Sequence, residues 1–214
     1  MTEASFEAGL SAYQAGEVAE ALRHWQAAAQ AGDPRAQYNL AVLLDEGRVV
    51  VRDTEAAALW YAQAARAGYP PAQFNLGLMF LQGEGVQRDP AQARLLFQLA
   101  AQRGHPEACF NLGQMFAEGE AGLPQDYAQS VMWYRRAAEA GMAEAANNLG
   151  IRYAMGQGVP RDDALAYQWF SIAAALGDPL APRHRDRVAQ ELEPEAVVAA
   201  GRAARQWLEE HGHR

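Results

Sequence analysis

Lysine is missing altogether from this chain of 214 residues, and all 18 of its basic residues are arginine. A Schiff-base amine, a P-loop lysine and a Ser-x-x-Lys nucleophile are therefore excluded as routes to catalysis. The bias fits a GC-rich, hence bacterial, genome. Cysteine occurs once, at Cys109, so no intrachain disulfide can form. Positive charge is in short supply: 18 basic against 26 acidic residues give a formal net charge of −8. That balance disfavours nucleic acid and anionic membrane as partners, and a neutral or basic protein fits better. The opening Met1 to Glu7 has neither a basic n-region nor an apolar h-region. A secretory leader is therefore not expected, membrane insertion is not expected, and the cytoplasm is the default compartment, with the periplasm the alternative if a leader has been removed. A polar low-complexity segment is also absent, and half of the residues are hydrophobic, so the whole chain reads as folded.

What is present is a period. Leu76-Gly77 recurs as Leu40-Ala41, Leu112-Gly113 and Leu149-Gly150, at spacings of 36, 36 and 37 residues. Asp89 has counterparts at Asp53, Asp126 and Asp162, and Gly104 at Gly68, Gly141 and Gly177. A fixed period between about 20 and 50 residues marks a repeat array, in which length counts units rather than domains.

Within one unit, Ala72 to Gln82 places Leu76, Met79 and Phe80 on one side only if helical; this is helix A. From Pro90 to Arg103 the same rhythm runs through Ala93, Leu96, Phe97 and Ala100, with Asp89 as N-cap and Pro90 at the first helical position; this is helix B. Gly83-Glu84-Gly85-Val86 turns between them, and Gly104 ends helix B. Gly77 is expected against Ala93 and Ala100, where small side chains let helices approach closely. The doublets Trp60-Tyr61, Leu96-Phe97, Trp133-Tyr134 and Trp169-Phe170 are expected to fill the space between units. A single helix pair cannot bury that face, so stacking is obligatory.

The pattern A-x-x-N-L-G, then G-x-G-V-x-x-D, then A-x-x-W-Y-x-x-A-A-x-x-G resembles the Sel-one-like repeat, a longer-looped relative of the tetratricopeptide repeat. The resemblance implies an all-α, right-handed superhelical solenoid of antiparallel helix pairs, used as a protein-binding scaffold or adaptor without a reaction of its own. It covers 36–177 as four repeats. Residues 3–35 make a shorter, tetratricopeptide-like unit in which Gly16-Glu17 leads directly into helix B, and 178–214 read as capping helices; the whole is one domain. Asp178-Pro179 is expected to open a helix with Leu180, His184, Val188 and Leu192 on one side, and Glu193-Pro194 a last one through Val198, Trp207 and Leu208. Two loops depart from the pattern. Val49 stands where other units have a second glycine and resists positive φ, and Gly119 to Asp126 is one residue longer.

The tetratricopeptide relationship gives each helix A a concave side. On it fall Tyr38, Asn39 and Val42, then Phe74, Asn75 and Leu78, then Phe110, Asn111 and Gln114, then Asn147, Asn148 and Ile151. Two roles stand open for the asparagines. One is to hold a ligand backbone through a donor and an acceptor on one short side chain; the other is to bond a neighbouring turn or helix, which recurrence in every unit favours. Successive Asn about 10 Å apart would meet every third residue of an extended ligand. Asp45, Glu46, Glu84, Glu118 and Glu120 could rim such a site or form a solvated edge. Arg183, His184, Arg185 and Arg187 make one basic cluster, read as a solvated or internally paired face.

Catalytic and metal-binding signals are weak. His24, His105 and His184 lie a unit or more apart, and His211-Gly212-His213 has no further ligands, so neither metal nor cofactor is expected. Ser5, Ser11, Ser130 and Ser171 lack a G-x-S-x-G elbow. A noncatalytic scaffold follows, including the special case of a bacterial immunity or regulatory protein that neutralises an effector. A cryptic hydrolase is the competing class, against which the missing lysine, disulfides and acid–base pair all weigh.

Overall fold

The computed structural model describes residues 2–212, and His213 of the tail lies outside them. Among the described residues there are twelve helices and no strand, as an all-α repeat array requires. They fall into two compact units, one ending at His105 and the other beginning at Pro106. The first holds the pairs α1 (Thr2–Gln14) with α2 (Val18–Gln30), α3 (Pro34–Glu46) with α4 (Thr54–Arg66), and α5 (Pro70–Gln82) with α6 (Pro90–Gln102). The second holds α7 (Pro106–Glu118) with α8 (Tyr127–Glu139), α9 (Ala143–Met155) with α10 (Asp163–Ala175), and then α11 (Ala181–Ala189) and α12 (Pro194–Glu210). Odd-numbered helices up to α9 are helices A, and even-numbered ones up to α10 are helices B.

The helix starts are set by short polar side chains. Asp53, Asp89, Asp126 and Asp162 each accept a backbone N–H from the first turn of their helix B, at 2.9–3.1 Å. The linking loops close alike: the N–H of each capping Asp reaches back to helix A, to the carbonyls of Leu44, Phe80, Phe116 and Tyr153 respectively. The extra residue before Asp126 is taken up at Ala121, which adopts φ 55, followed by Gly122 at φ 75. Val49 avoids the left-handed region that Gly85 and Gly158 occupy, yet its loop still closes onto Leu44. Gly85 and Gly158 are needed for a second reason. A Cβ on either would meet backbone of the preceding helix B start, Thr54 at 2.2 Å or Tyr127 at 2.3 Å, so the loop rests directly on that turn.

Gly77 corrects one expectation. The nearest atoms to where a Cβ would stand belong to the ring of Phe97, at 2.6 Å, followed by the carbonyl of the expected Ala93 at 3.3 Å. Gly113 and Gly150 stand in the same relation to Tyr134 and Phe170. The glycine is thus a socket for an aromatic ring within the helix pair. The doublet Trp60-Tyr61 is accordingly split, whereas Trp133 and Trp169 are buried along with the rings that follow them. Tyr61, Phe97, Tyr134 and Phe170 are buried in their own pair, while Trp60 packs against both the α1–α3 core and the α3–α5 core, between units as expected. Burial of each such ring is worth about 1.5–3 kcal/mol.

The C-terminal helices differ from expectation in register. Asp178 caps the turn through the N–H groups of Leu180 and Ala181 at 2.8 and 2.7 Å, but the helix begins only at Ala181, where Pro182 falls in the first turn. Leu180 is left exposed in that turn, and so is Val198 on α12. The face of α12 that is covered carries Ala200, Ala204 and Trp207, and the Trp207 ring meets Trp169 of α10 edge-on at 5.6 Å.

Candidate protein-binding face

The residues expected on the inner side of helices A are half-buried in each compact unit, apart from Asn147, which is 5% exposed. The rings among them are built into the core edge. Tyr38 lies 5.8 Å from Tyr61 and 5.4 Å from Tyr69; Phe74 lies 5.6 Å from Phe97 and stacks on His105 at 4.8 Å. In the second unit Phe110 lies 5.7 Å from Tyr134. Each ring therefore packs over the buried helix-B aromatic and stays half-buried, Tyr38 and Phe74 also meeting Tyr69 and His105. Val42, Leu78, Gln114 and Ile151 stand a turn further along the same helices and are half-buried too.

The asparagines do not form a uniform ladder. Asn75 donates from Nδ2 to the Tyr61 hydroxyl at 3.0 Å, whereas Asn111 donates to the carbonyl of Glu107 in its own helix at 2.8 Å. Burial pushes the phenols of Tyr61 and Tyr134 up, and Asn148 is bonded to the latter. Asn39 makes no side-chain hydrogen bond among the described residues. One such bond leaves each amide with a second N–H and a carbonyl oxygen, so the internal bonds at Asn75 and Asn111 do not use up their hydrogen-bonding capacity.

At Asn147 the row of rings stops, and the structure supplies a replacement from elsewhere. Asn147 Oδ1 meets Nδ1 of His184 at 2.8 Å, and the His184 ring lies 5.3 Å from Phe170. His184 therefore occupies, from α11, the place that Tyr38, Phe74 and Phe110 occupy from helix A. Apart from His184, which turns inward, the basic cluster is solvated or internally paired as expected: Arg183 and Arg187 are exposed and Arg185 pairs with Asp186 at 2.8 Å. The acidic rim is also partly neutralised. Arg52 lies 3.6 Å from the half-buried Asp45 and 3.2 Å from Glu84, and Arg48 lies 3.6 Å from Glu46, surface pairs worth about 0–1 kcal/mol.

Two buried polar residues were not singled out from the sequence as supports. Gln37 and Gln73 donate from Nε2 to the carbonyls of Ala29 and Ala65, each at 3.1 Å, adding a second donor to acceptors at the end of the preceding helix B that already take the N–H of Gly32 and Gly68. Their position, just before the ring residue, was the available signal. Cys109 stands there in α7, where burial pushes its thiol up and away from reactivity. Among the described residues no three His, Cys, Asp or Glu side chains are grouped to hold a metal ion, and no helix is long and apolar enough to cross a membrane.

The Sel1 repeat family model matches five segments, 3–33, 34–69, 70–105, 106–142 and 143–178. The first takes in the shorter unit, so its abbreviated turn is a variant of the same repeat. A protective antigen of uropathogenic Escherichia coli displaying an SLR fold is 32% identical over 99% of this chain, with a TM-score of 0.85. This chain spans only 46% of that protein's length. A Sel1 repeat protein from Oxalobacter formigenes is also 32% identical, covering 94% of this chain and 84% of its own, with a TM-score of 0.80. An immunity protein from Pseudomonas aeruginosa, 19% identical over 90% of this chain and 73% of its own at a TM-score of 0.50, shares the fold alone. No curated protein is matched by the sequence.

Proposed function

Since the chain belongs to the Sel1 repeat family, we propose that it is a noncatalytic scaffold, one domain in extent, that binds a partner protein or an extended segment of one on the face of its helices A. The observation that carries the reading is the pairing, on successive helices A of each compact unit, of half-buried rings with amides that keep hydrogen-bonding capacity: Tyr38 with Asn39 and Phe74 with Asn75 in the first, Phe110 with Asn111 in the second. Rings of this kind offer apolar area at small entropic cost, and an amide matches both polar groups of a peptide unit. The net charge of −8 favours a neutral or basic partner, and we place the protein in the cytoplasm. Neutralising a cognate effector would be one use of the same surface.

A photo-crosslinking residue at Leu78 or Gln114, used in lysate of a bacterial host, tests the assignment. Capture of one partner from these positions, and not from the exposed Arg202 of α12, supports it; equal capture from Arg202 removes it. For the partner so found, Asn39→Ala should weaken binding by about threefold to tenfold, the worth of one hydrogen bond of about 0.5–1.5 kcal/mol.

A further inference from the structure

Helices B carry a surface of their own. Between α4 and α6 runs a groove of about 570 Å³, floored by Leu76 and Phe80 of α5 and by Val86 of the loop. Its walls hold leucines that a folded chain has no internal reason to expose: Leu59 is 68% exposed and Leu99 47%. Single exposed apolar residues are ordinary, but two leucines exposed on one apolar groove mark a contact surface.

We propose that this groove docks an amphipathic helix of a partner protein, with acidic residues in its first turn and basic residues in its last. The secondary structure of the occupant follows from what the walls cannot offer. Between their end turns both walls are helix surfaces whose backbone N–H and C=O groups are already used, so an extended chain would find little there to bond its main chain, whereas a helix bonds its own. The α4 wall presents Ala58, Ala62 and Ala65 in helical spacing, small enough to let another helix approach toward about 8 Å. From Glu55 to Arg66 the wall is about three turns long. The direction follows from charge. Glu55 lies at the start of α4 and Arg66 at its end, both exposed on the groove's edge. A helix laid antiparallel to α4 puts its last turn beside Glu55 and its first beside Arg66. Basic and acidic residues at those ends complement the groove and the ligand's own dipole together.

This surface lies on helices B and does not depend on the helix-A reading. The probe is a fluorescein-labelled peptide of about fourteen residues, four turns, with Glu in the first turn, Leu at three-and-four spacing and Arg in the last turn. Anisotropy is measured with the full chain. Saturable binding is expected, lowered about tenfold by Leu59→Arg, which removes one buried leucine contact. Swapping the terminal charges at unchanged leucines should weaken it severalfold. Asn39→Ala should leave it unchanged. If Leu59→Arg lowers the melting temperature, Leu59→Gln takes its place. The proposal is overturned by several results: no saturable binding, indifference to Leu59 substitution, indifference to charge swapping, or equal binding of a proline-interrupted peptide, which would mean an extended occupant. Concentration-dependent self-association in sedimentation that Leu59→Arg abolishes would also overturn it, assigning the groove to a second copy.

Discussion

Helices α3 to α6 solve the same packing problem twice in the same way, while α7 to α12 solve it with two substitutions of means. In the first region Tyr38 and Phe74 are placed by helix A over Tyr61 and Phe97. In the second, the ring over Phe170 comes from His184 of α11, and the loop before Asp126 absorbs an extra residue by bending Ala121 into the left-handed region. The comparison teaches that what the repeat requires is geometric, a ring over a ring and a loop that returns to the same carbonyl. Which residue meets the requirement is open wherever a neighbouring element can reach.

The largest effects should come from the rings themselves. Phe97→Ala and Phe170→Ala each empty a fully enclosed socket and should lose about 3–5 kcal/mol in urea denaturation. Near-equal losses would confirm that the His184-covered site is as well packed as the helix-A-covered one. A loss below about 1 kcal/mol at Phe170 alone would show the C-terminal arrangement to be loose, and the comparison would fail.

The socket can be tested from its other side. Gly77→Ala puts a Cβ 2.6 Å from the Phe97 ring and should cost about 1–3 kcal/mol. At the same point of the preceding repeat Ala41 already stands, fully buried near Tyr61. Ala41→Gly should cost only about 1 kcal/mol, the ordinary helix penalty. Equal costs would mean that the two sockets do not differ in depth.

His184 supplies a test of the borrowed ring. His184→Ala removes the ring from Phe170 and leaves the buried Asn147 carbonyl oxygen without its partner, so a loss of about 1–3 kcal/mol is expected. Adding Asn147→Phe, which restores at helix A the ring type found at Phe74 and Phe110, should recover part of it. Failure to recover any stability would show that α11 has displaced the site and not merely filled it.

The contrast also explains what could be read from the chain beforehand. Much that is tied to the period was legible: the helix pairs, the Asp caps and the position of the long loop. What was not legible depended on which of two adjacent positions points inward, or on partners far apart in sequence. Gly77 was given small neighbours because spacing alone does not tell Phe97 from Ala100 on a helix face. His184 was grouped with three arginines because its partner, Asn147, lies in another repeat. Asn75 and Asn111 share a position but not a bond, since the hydrogen bond each makes depends on what its surroundings offer. The half-burial of the candidate residues on helices A thus followed from the period, while the bonding that decides which amides stay available did not.

The smallest effect sharpens the comparison at the loop. An alanine at φ 55 pays the left-handed penalty of about 1–2 kcal/mol that glycine avoids. Ala121 accepts it because the turn must double back within one extra residue: Leu123 donates to the carbonyl of Glu120, and Asp126 still reaches Phe116. Glycine at 121 relieves the strain but loses more backbone freedom on folding, which returns about 0.5–1 kcal/mol of the gain. Ala121→Gly should therefore stabilise the chain by about 0.5–1 kcal/mol, seen as a small rise in urea midpoint at unchanged slope. Val49→Gly, in a loop that closes without left-handed backbone at that position, should instead destabilise it slightly. If both substitutions move the midpoint in the same direction, the sign of φ is not what separates these two loops, and the difference must lie in what each loop rests on.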